Sequence, residues 1–172
     1  MKPPFAEGQF FLLPVDRRIY TLGLIARVPP RGGVLLGYFF GPRHRQPPVI
    51  EWLNALGPGS AALVCRFKDT ALYRGEWQLL GMREPFRRED WPIPAFHRFD
   101  GSTTHVPGSE ATADWRVEYG DQSLIVPTRE SPAGPEDLKL ADDVAFDPTL
   151  LAAEVARRVT EMVPTADDAS WR

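Results

Sequence analysis

The sequence is poor in the residues that carry most catalytic and metal-binding chemistry. Among its 172 residues there are only one cysteine and three histidines. Cys65 has no partner for an internal disulfide, and neither a CxxC pair nor an HxxxH spacing points to zinc. No serine stands in a GxSxG context, and no glycine-rich loop ends in GK[ST]. We therefore expect no enzyme, no cofactor, no metal and no small-molecule substrate.

Long apolar runs are missing as well. No stretch of about 18 apolar residues exists that could span a bilayer, and the opening MKPPFAEG lacks the apolar core of a signal peptide. The composition, 43% hydrophobic and 25% charged, is that of an ordinary globular protein. We expect one domain over residues 1–172, in the cytoplasm, with no membrane partner. The single cysteine fits a reducing compartment.

The net charge is small, but the charged residues are distributed unevenly along the chain. The net charge is −3. Through residue 99 the chain has 14 Lys/Arg against 8 Asp/Glu, and from residue 100 onward it has 6 against 15. Such asymmetry suggests an electrostatic partner, although folding can bring the two halves together and cancel much of it.

The first half has the pattern of β-strands. Segments 8–14, 19–27 and 34–40 are rich in aromatic and branched residues and are separated by the short breakers VDRR and VPPRGG. This pattern predicts an antiparallel meander, and the near-continuous apolarity predicts either burial on both faces or a tightly curled sheet. Segment 47–56 predicts a short helix, because prolines precede it and Gly57 follows it. Two further strands are predicted at 61–67 and 77–82.

The second half is less regular. Residues 115–119 and 123–127 predict a late hairpin that turns at Gly120 and Asp121. Residues 128–146 are acidic and contain prolines, which is typical of a surface loop; we call them the acidic loop. Residues 147–163 predict a helix with Asp147 as its cap and Pro148 in its first turn. The tail 164–172 is expected to fray.

The helix carries one apolar stripe, formed by Leu151, Val155, Val159 and Met162. Taken together, the elements predict an α+β fold. It consists of a strongly curved, mainly antiparallel sheet, half-barrel-like, with a short middle helix and a C-terminal helix packed on it. The core is expected over about residues 7–127.

The stretch EPFRREDWPIPAFHRF (84–99), with Arg83 before it, has two interpretations; we call 83–99 the arginine-aromatic segment. Its basic residues and aromatics could form a nucleic-acid-binding module. The same aromatics could instead fill the core while prolines stiffen the chain. Acidic residues interrupt the arginines and the pI is near 5.6, so the structural interpretation is favoured and nucleic acid is not expected as a partner. The basic candidates of the alternative are Arg83, Arg87, Arg88 and Arg98.

Two blocks of the sequence resemble the immunity protein 26 family of bacterial polymorphic toxin systems. The opening GQFFLLPVDRRIYTLGLIARV is similar to the start of that family, and GEWQLLGMREPF with PIPAFHRF is similar to its next block. The residues that carry the resemblance are Gly8, Phe10, Pro14, Tyr20, Gly23, Gly75, Trp77, Gly81, Pro85, Pro94 and Phe96. It covers residues 7–100 and, more loosely, the rest.

The resemblance implies a non-enzymatic inhibitor that binds a cognate toxin, often a nuclease with a basic cleft. The acidic residues of the second half could then imitate phosphate, or could simply keep a loop solvated. These acidic candidates are Glu130, Glu136, Asp137, Asp142, Asp143 and Asp147. A third hypothesis is a hydrolase whose site the fold assembles around His97 and His105.

Overall fold

A computed structural model describes residues 3–30, 32–99 and 114–162 of the chain. In these residues the strands form one sheet of six and one of three. They are β1 (Gln9–Asp16), β2 (Ile19–Arg27), β3 (Val34–His44), β4 (Leu63–Lys68), β5 (Leu79–Met82), β6 (Phe96–Phe99), β7 (Asp114–Glu118), β8 (Arg129–Pro132) and β9 (Ala145–Phe146). The α-helices found there are α1 (Ile50–Asn54), α2 (Thr70–Tyr73) and α3 (Pro148–Met162).

The larger sheet is built on the meander that the sequence predicts. Strands β1 to β4 pair antiparallel in chain order, and β5 adds to the outer edge of β1. The two-residue strand β9 joins the other edge, parallel to β4. The order is therefore β5-β1-β2-β3-β4-β9, which makes the sheet mixed but mainly antiparallel.

Both faces of this sheet are buried, which confirms the prediction from the apolar strands. Side chains alternate between faces along a strand, so Phe11 and Leu13 enter one core while Phe10 and Leu12 enter the other. Helix α3 and Trp77 cover the first face, and the smaller sheet with α1 covers the second. The chain thus forms three layers, with the six-stranded sheet in the middle.

Helix α3 begins where the sequence predicts because Asp147 caps it. The Asp147 Oδ1 accepts hydrogen bonds from the backbone N–H groups of Thr149 and Leu150, both at 3.0 Å. At four-residue spacing the helix buries an apolar stripe against the sheet, namely Leu151, Val155 and Val159. The predicted fourth member, the side chain of Met162, lies outside the described part of the structure, as does the tail 164–172.

The smaller sheet corrects the predicted late hairpin. The strand at 115–119 is confirmed as β7, but 123–127 is not a strand, and β7 pairs with β6 on one side and β8 on the other. Residues 120–127 form a turn with an isolated bridge between Gly120 and Ser123. The Ser123 Oγ accepts hydrogen bonds from the N–H groups of Ile125 and Val126, which removes those groups from strand pairing.

Two other polar stretches contain regular structure. The acidic loop (128–146) includes β8, a 3-10 turn at Asp137–Lys139 and β9, and the arginine-aromatic segment ends in β6. Strands β6 and β8 have four residues each and expose several of their side chains. Strands of only four residues are too short to show an alternating pattern that sequence reasoning could detect.

The α+β class is confirmed, with a mainly antiparallel curved sheet, a short middle helix and a C-terminal helix packed on it. Neither sheet closes into a barrel. Among the described residues, no helix is long and apolar enough to cross a membrane.

Candidate partner-binding surface

The acidic loop connects the open edges of the two sheets. Beyond the 3-10 turn, residues 141–143 run beside β6: the His97 N–H donates to the Ala141 carbonyl at 2.9 Å, and the Asp143 N–H donates to the His97 carbonyl at 2.6 Å. The chain then reaches β9, on the edge of β4. The loop is therefore fixed to the body of the protein along much of its length.

Asp143 forms a buried ion pair at the centre of this connection. The Arg66 guanidinium donates to Asp143 Oδ1 at 2.5 Å, and only 6% and 3% of the two side chains are exposed. The Tyr119 hydroxyl also donates to Asp143, at 2.8 Å. Burial, together with this hydrogen bond, raises the pKa of Tyr119 to about 12. Asp143 therefore contacts the protein itself and is shielded from a partner.

Asp137 and Asp147 are also engaged in internal contacts. Asp137 is buried, and its carboxylate accepts hydrogen bonds from the Gly134 N–H at 2.9 Å and from Arg116 at 2.7 Å. The Gly134 bond, followed by the Arg116 bond, holds the pKa of Asp137 below its usual value. Asp147 is the α3 cap. These carboxylates order the segment in which they lie.

The remaining three acidic candidates are exposed. Glu130 pairs with Arg98 at 2.7 Å, across the smaller sheet. Glu136 and Asp142 form no ion pair with any described residue. The structure thus divides the six candidates into three that face solvent and three that hold the fold.

The arginines of the arginine-aromatic segment bind other groups of the protein, and two of its aromatic side chains lie in the core. Trp91 and Phe96 are at most 1% exposed and lie in the core beneath the smaller sheet. The four arginines bind neighbouring groups: Arg83 donates to the Asn54 and Leu56 carbonyls, Arg87 pairs with Asp90, Arg88 pairs with Glu7 and Asp121, and Arg98 pairs with Glu130 and Asp143. The hydrogen bonds that Arg88 donates to the Glu7 carboxylate raise the pKa of Arg88 above its ordinary value.

Sequence reasoning missed a basic group at one end of the large sheet. Arg17 and Arg18 form the turn between β1 and β2, and the pairing of Tyr20 with His44 brings Arg45 beside them. All three arginines are exposed and form no ion pair with a described residue. The signal in the sequence was the breaker VDRR together with Arg45, which follows the last residue of β3.

A second missed feature is the apolar loop, residues 120–127. The sequence predicts a strand over residues 123–127, yet Ile125 and Val126 are 53% and 62% exposed. Between Ser123 and Ile125, Leu124 is fully buried, and its carbonyl accepts a hydrogen bond from Arg66 at 2.7 Å. The signal in the sequence was an apolar run bounded by a serine and a proline.

The hypothesis of a hydrolase site around His97 and His105 stays a prediction, because His105 lies outside the described residues. His97 Nε2 lies 2.7 Å from Asp114 Oδ1 on the smaller sheet. Cys65 is fully buried, and burial raises the pKa of its thiol. In the described ranges, no group of three or more His, Cys, Asp or Glu side chains could hold a metal ion. An open depression of about 530 Å³ lies between α2 and the start of α3 and is lined by Thr70, Arg74, Glu76 and residues 147–150.

Comparison with known proteins identifies the family to which the chain belongs. The family model of Immunity protein 26 matches residues 6–105, more than half of the chain. The protein therefore belongs to the immunity protein 26 family, as the resemblance of its two motif blocks indicated. Neither the curated proteins nor the solved structures gave a match.

Proposed function

We propose that this protein binds a cognate bacterial toxin in the cytoplasm and neutralises it by blocking it, without catalysing a reaction. The observation that carries the proposal is the family match over residues 6–105, because the family is one of immunity proteins. An immunity protein needs an exposed, pre-formed surface rather than a set of reacting groups. The fixed edges of the smaller sheet and the acidic loop provide such a surface.

We further propose that the toxin is a nuclease and that exposed carboxylates contact its basic cleft. The carboxylates in a position to do so are Glu130, Glu136 and Asp142, while Asp137, Asp143 and Asp147 hold the backbone that presents them. Complementary charges of this kind accelerate association and select partners more than they set affinity.

The first test is binding and protection. The chain is co-expressed with the toxin domain encoded by the neighbouring gene, and survival of the host and co-purification of the two proteins are measured. We expect the chain to restore growth and to co-purify with the toxin. Failure of both would overturn the proposed function, and a toxin without nuclease activity would overturn the finer proposal alone.

The second arm of this test addresses the acidic contact. Asp142→Lys is expected to slow association several-fold at low salt, with the difference shrinking as salt screens the charges. The matched control is Glu51→Lys, which reverses an exposed carboxylate on α1. α1 lies beside His44, the last residue of β3, with the His44 and Trp52 ring centroids 5.3 Å apart. Equal association rates for Asp142→Lys and the unmodified protein would remove Asp142 from the interface.

A further inference from the structure

The apolar loop (120–127) exposes two neighbouring aliphatic side chains. Large apolar side chains are exposed at several other places in the described residues, but only Ile125 and Val126 are consecutive in the chain. Scattered single exposures are normal on a soluble protein, whereas a contiguous apolar patch marks an interaction site more often. The exposed pair of Ile125 and Val126 is therefore a candidate interaction site.

The loop is held in one conformation by contacts on both sides of the pair. On one side, Leu124 is fully buried, and Arg66 donates to its carbonyl at 2.7 Å. Ser123 Oγ accepts hydrogen bonds from the Ile125 and Val126 N–H groups at 3.1 and 3.0 Å. On the other side, the Thr128 N–H donates to the Glu118 carbonyl at 2.8 Å. A side chain fixed in this way loses little entropy when it binds.

Charged groups border the pair. Asp121, within the loop, is about half exposed, but it pairs with Arg27 at 2.7 Å and with the partly exposed Arg88 at 3.4 Å. Asp142 is exposed, and its neighbour Asp143 shares the Arg66 guanidinium with the Leu124 carbonyl. The Arg66 side chain therefore contacts both the apolar loop, at Leu124, and the segment that carries Asp142.

We propose that Ile125 and Val126 are the central anchor of the toxin interface and enter an apolar pocket of the toxin that is bordered by basic side chains. The proposal rests on the proposed function and assigns it a place on the molecule. Protein interfaces have an apolar centre, where a few residues carry most of the binding energy, within a polar rim. Asp142, which is exposed and forms no ion pair with a described residue, complements a basic side chain on the toxin.

The test compares Ile125→Asp and Val126→Asp with the unmodified protein. Affinity for the toxin domain encoded by the neighbouring gene is measured by calorimetry, and the fold is checked by circular dichroism and thermal melting. We expect each variant to bind at least about 30-fold more weakly, the loss of a central anchor residue, with an unchanged melting temperature. Should an aspartate variant fail to fold, the double variant Ile125→Ala with Val126→Ala replaces it.

Val49→Asp is the matched control. Val49 is 67% exposed, and it precedes α1 near the His44 end of β3. The apolar loop lies near the other end, where Arg27 and Arg66 both pair with Leu36. Eight residues of strand separate the two levels, which is about 26 Å. We expect this variant to bind as the unmodified protein does.

The outcomes separate the two proposals. If the unmodified protein binds the toxin and the loop variants bind equally well, the anchor is wrong and the proposed function stands. A loss of self-association or of binding to anionic vesicles, with toxin binding intact, would also overturn the anchor and would name a different occupant. If the unmodified protein does not bind the toxin, both proposals fall.

Discussion

At the scale of single residues, two residues of the family motif, Gly23 and Trp77, lie on opposite sides of the Phe11 ring. Phe11 pairs directly with Gly23 across β1 and β2, and a Cβ built on Gly23 would lie 2.2 Å from the Phe11 ring. On its other side, the ring of Phe11 is parallel to that of Trp77, with centroids 5.4 Å apart and planes 1° apart. Gly23 therefore makes room for Phe11, and Phe11 positions Trp77. Two motif residues distant in sequence belong to one packing unit.

The variant Gly23→Ala tests this unit. The added methyl group must displace a ring that Phe39, Phe67 and Trp77 surround. We expect the free energy of unfolding to fall by about 1–3 kcal/mol, which is typical of overpacking in a core. Denaturant titration at pH 7 measures the change.

Gly57→Ala is the control for this prediction. Gly57 has an extended backbone at φ −121°, and no atom lies within 4 Å of a Cβ built there. Alanine at this position is expected to leave stability within about 0.5 kcal/mol of the unmodified value. Equal stability of the two variants would show that Phe11 can move and that Gly23 serves another purpose.

At the scale of elements, the sequence predicts the strands and the helix that burial determines, together with the Asp147 cap of α3. It misses the turn at 120–127, which hydrogen bonds determine. Strands β1 to β4 and helix α3 are visible because apolar side chains face one or two cores. Residues 123–127 have the composition of a strand, yet the Ser123 hydroxyl and the bond from Arg66 to the Leu124 carbonyl impose a turn. Neither the local bonds to Ser123 nor the contact with the distant Arg66 leaves a periodic pattern in the sequence.

The 3-10 turn Asp137–Lys139 gives a pH-dependent prediction at this scale. Hydrogen bonds from the Gly134 N–H and then from Arg116 lower the pKa of Asp137 in the folded protein. A carboxyl group with a lowered folded pKa stabilises the fold above its unfolded pKa, about 3.9, and loses that contribution as the pH falls through the folded value. Asp137→Asn is therefore expected to melt at a lower temperature than the unmodified protein at pH 7. The difference should shrink below about pH 4.

Thermal melting of both proteins from pH 7 down to pH 2.5 checks this prediction. Asp142→Asn serves as the control, because Asp142 is exposed and forms no ion pair with a described residue. Its melting temperature should follow that of the unmodified protein at every pH. A constant difference for Asp137→Asn over the whole range would show that the carboxylate charge contributes nothing and that only its shape matters.

At the scale of the whole molecule, ion pairs between the two halves of the chain use part of the charge asymmetry of the sequence. Arginines of the first half pair with carboxylates of the second: Arg27 and Arg88 with Asp121, Arg66 with Asp143, and Arg98 with Glu130 and Asp143. The sequence showed that the two halves are complementary, but not which charges would meet. For that reason it could propose an acidic surface and could not separate Asp142, which faces solvent, from Asp143, which is buried beside it.

The pair of Arg66 and Asp143 is the most deeply buried of these links, and it connects the layers. Arg66 stands on β4 of the large sheet, while Asp143 lies beside β6 of the smaller one. The Arg66 guanidinium also lies 4.1 Å from the centroid of the Tyr119 ring, and its Nε has no hydrogen-bond partner among the described residues. Removing Asp143 would leave a buried cation with little compensation.

Asp143→Ala is therefore expected to lower the free energy of unfolding by about 3–5 kcal/mol, the usual cost of breaking a buried ion pair. Asp142→Ala, one residue away and exposed, should cost less than about 0.5 kcal/mol. The double variant Arg66→Met with Asp143→Leu should recover most of the loss, because it removes the unpaired charge together with its partner. Denaturant titration compares the three variants. If Asp143→Ala were as stable as Asp142→Ala, the pair would not hold the layers together, and Asp143 would return to the set of residues available to the toxin.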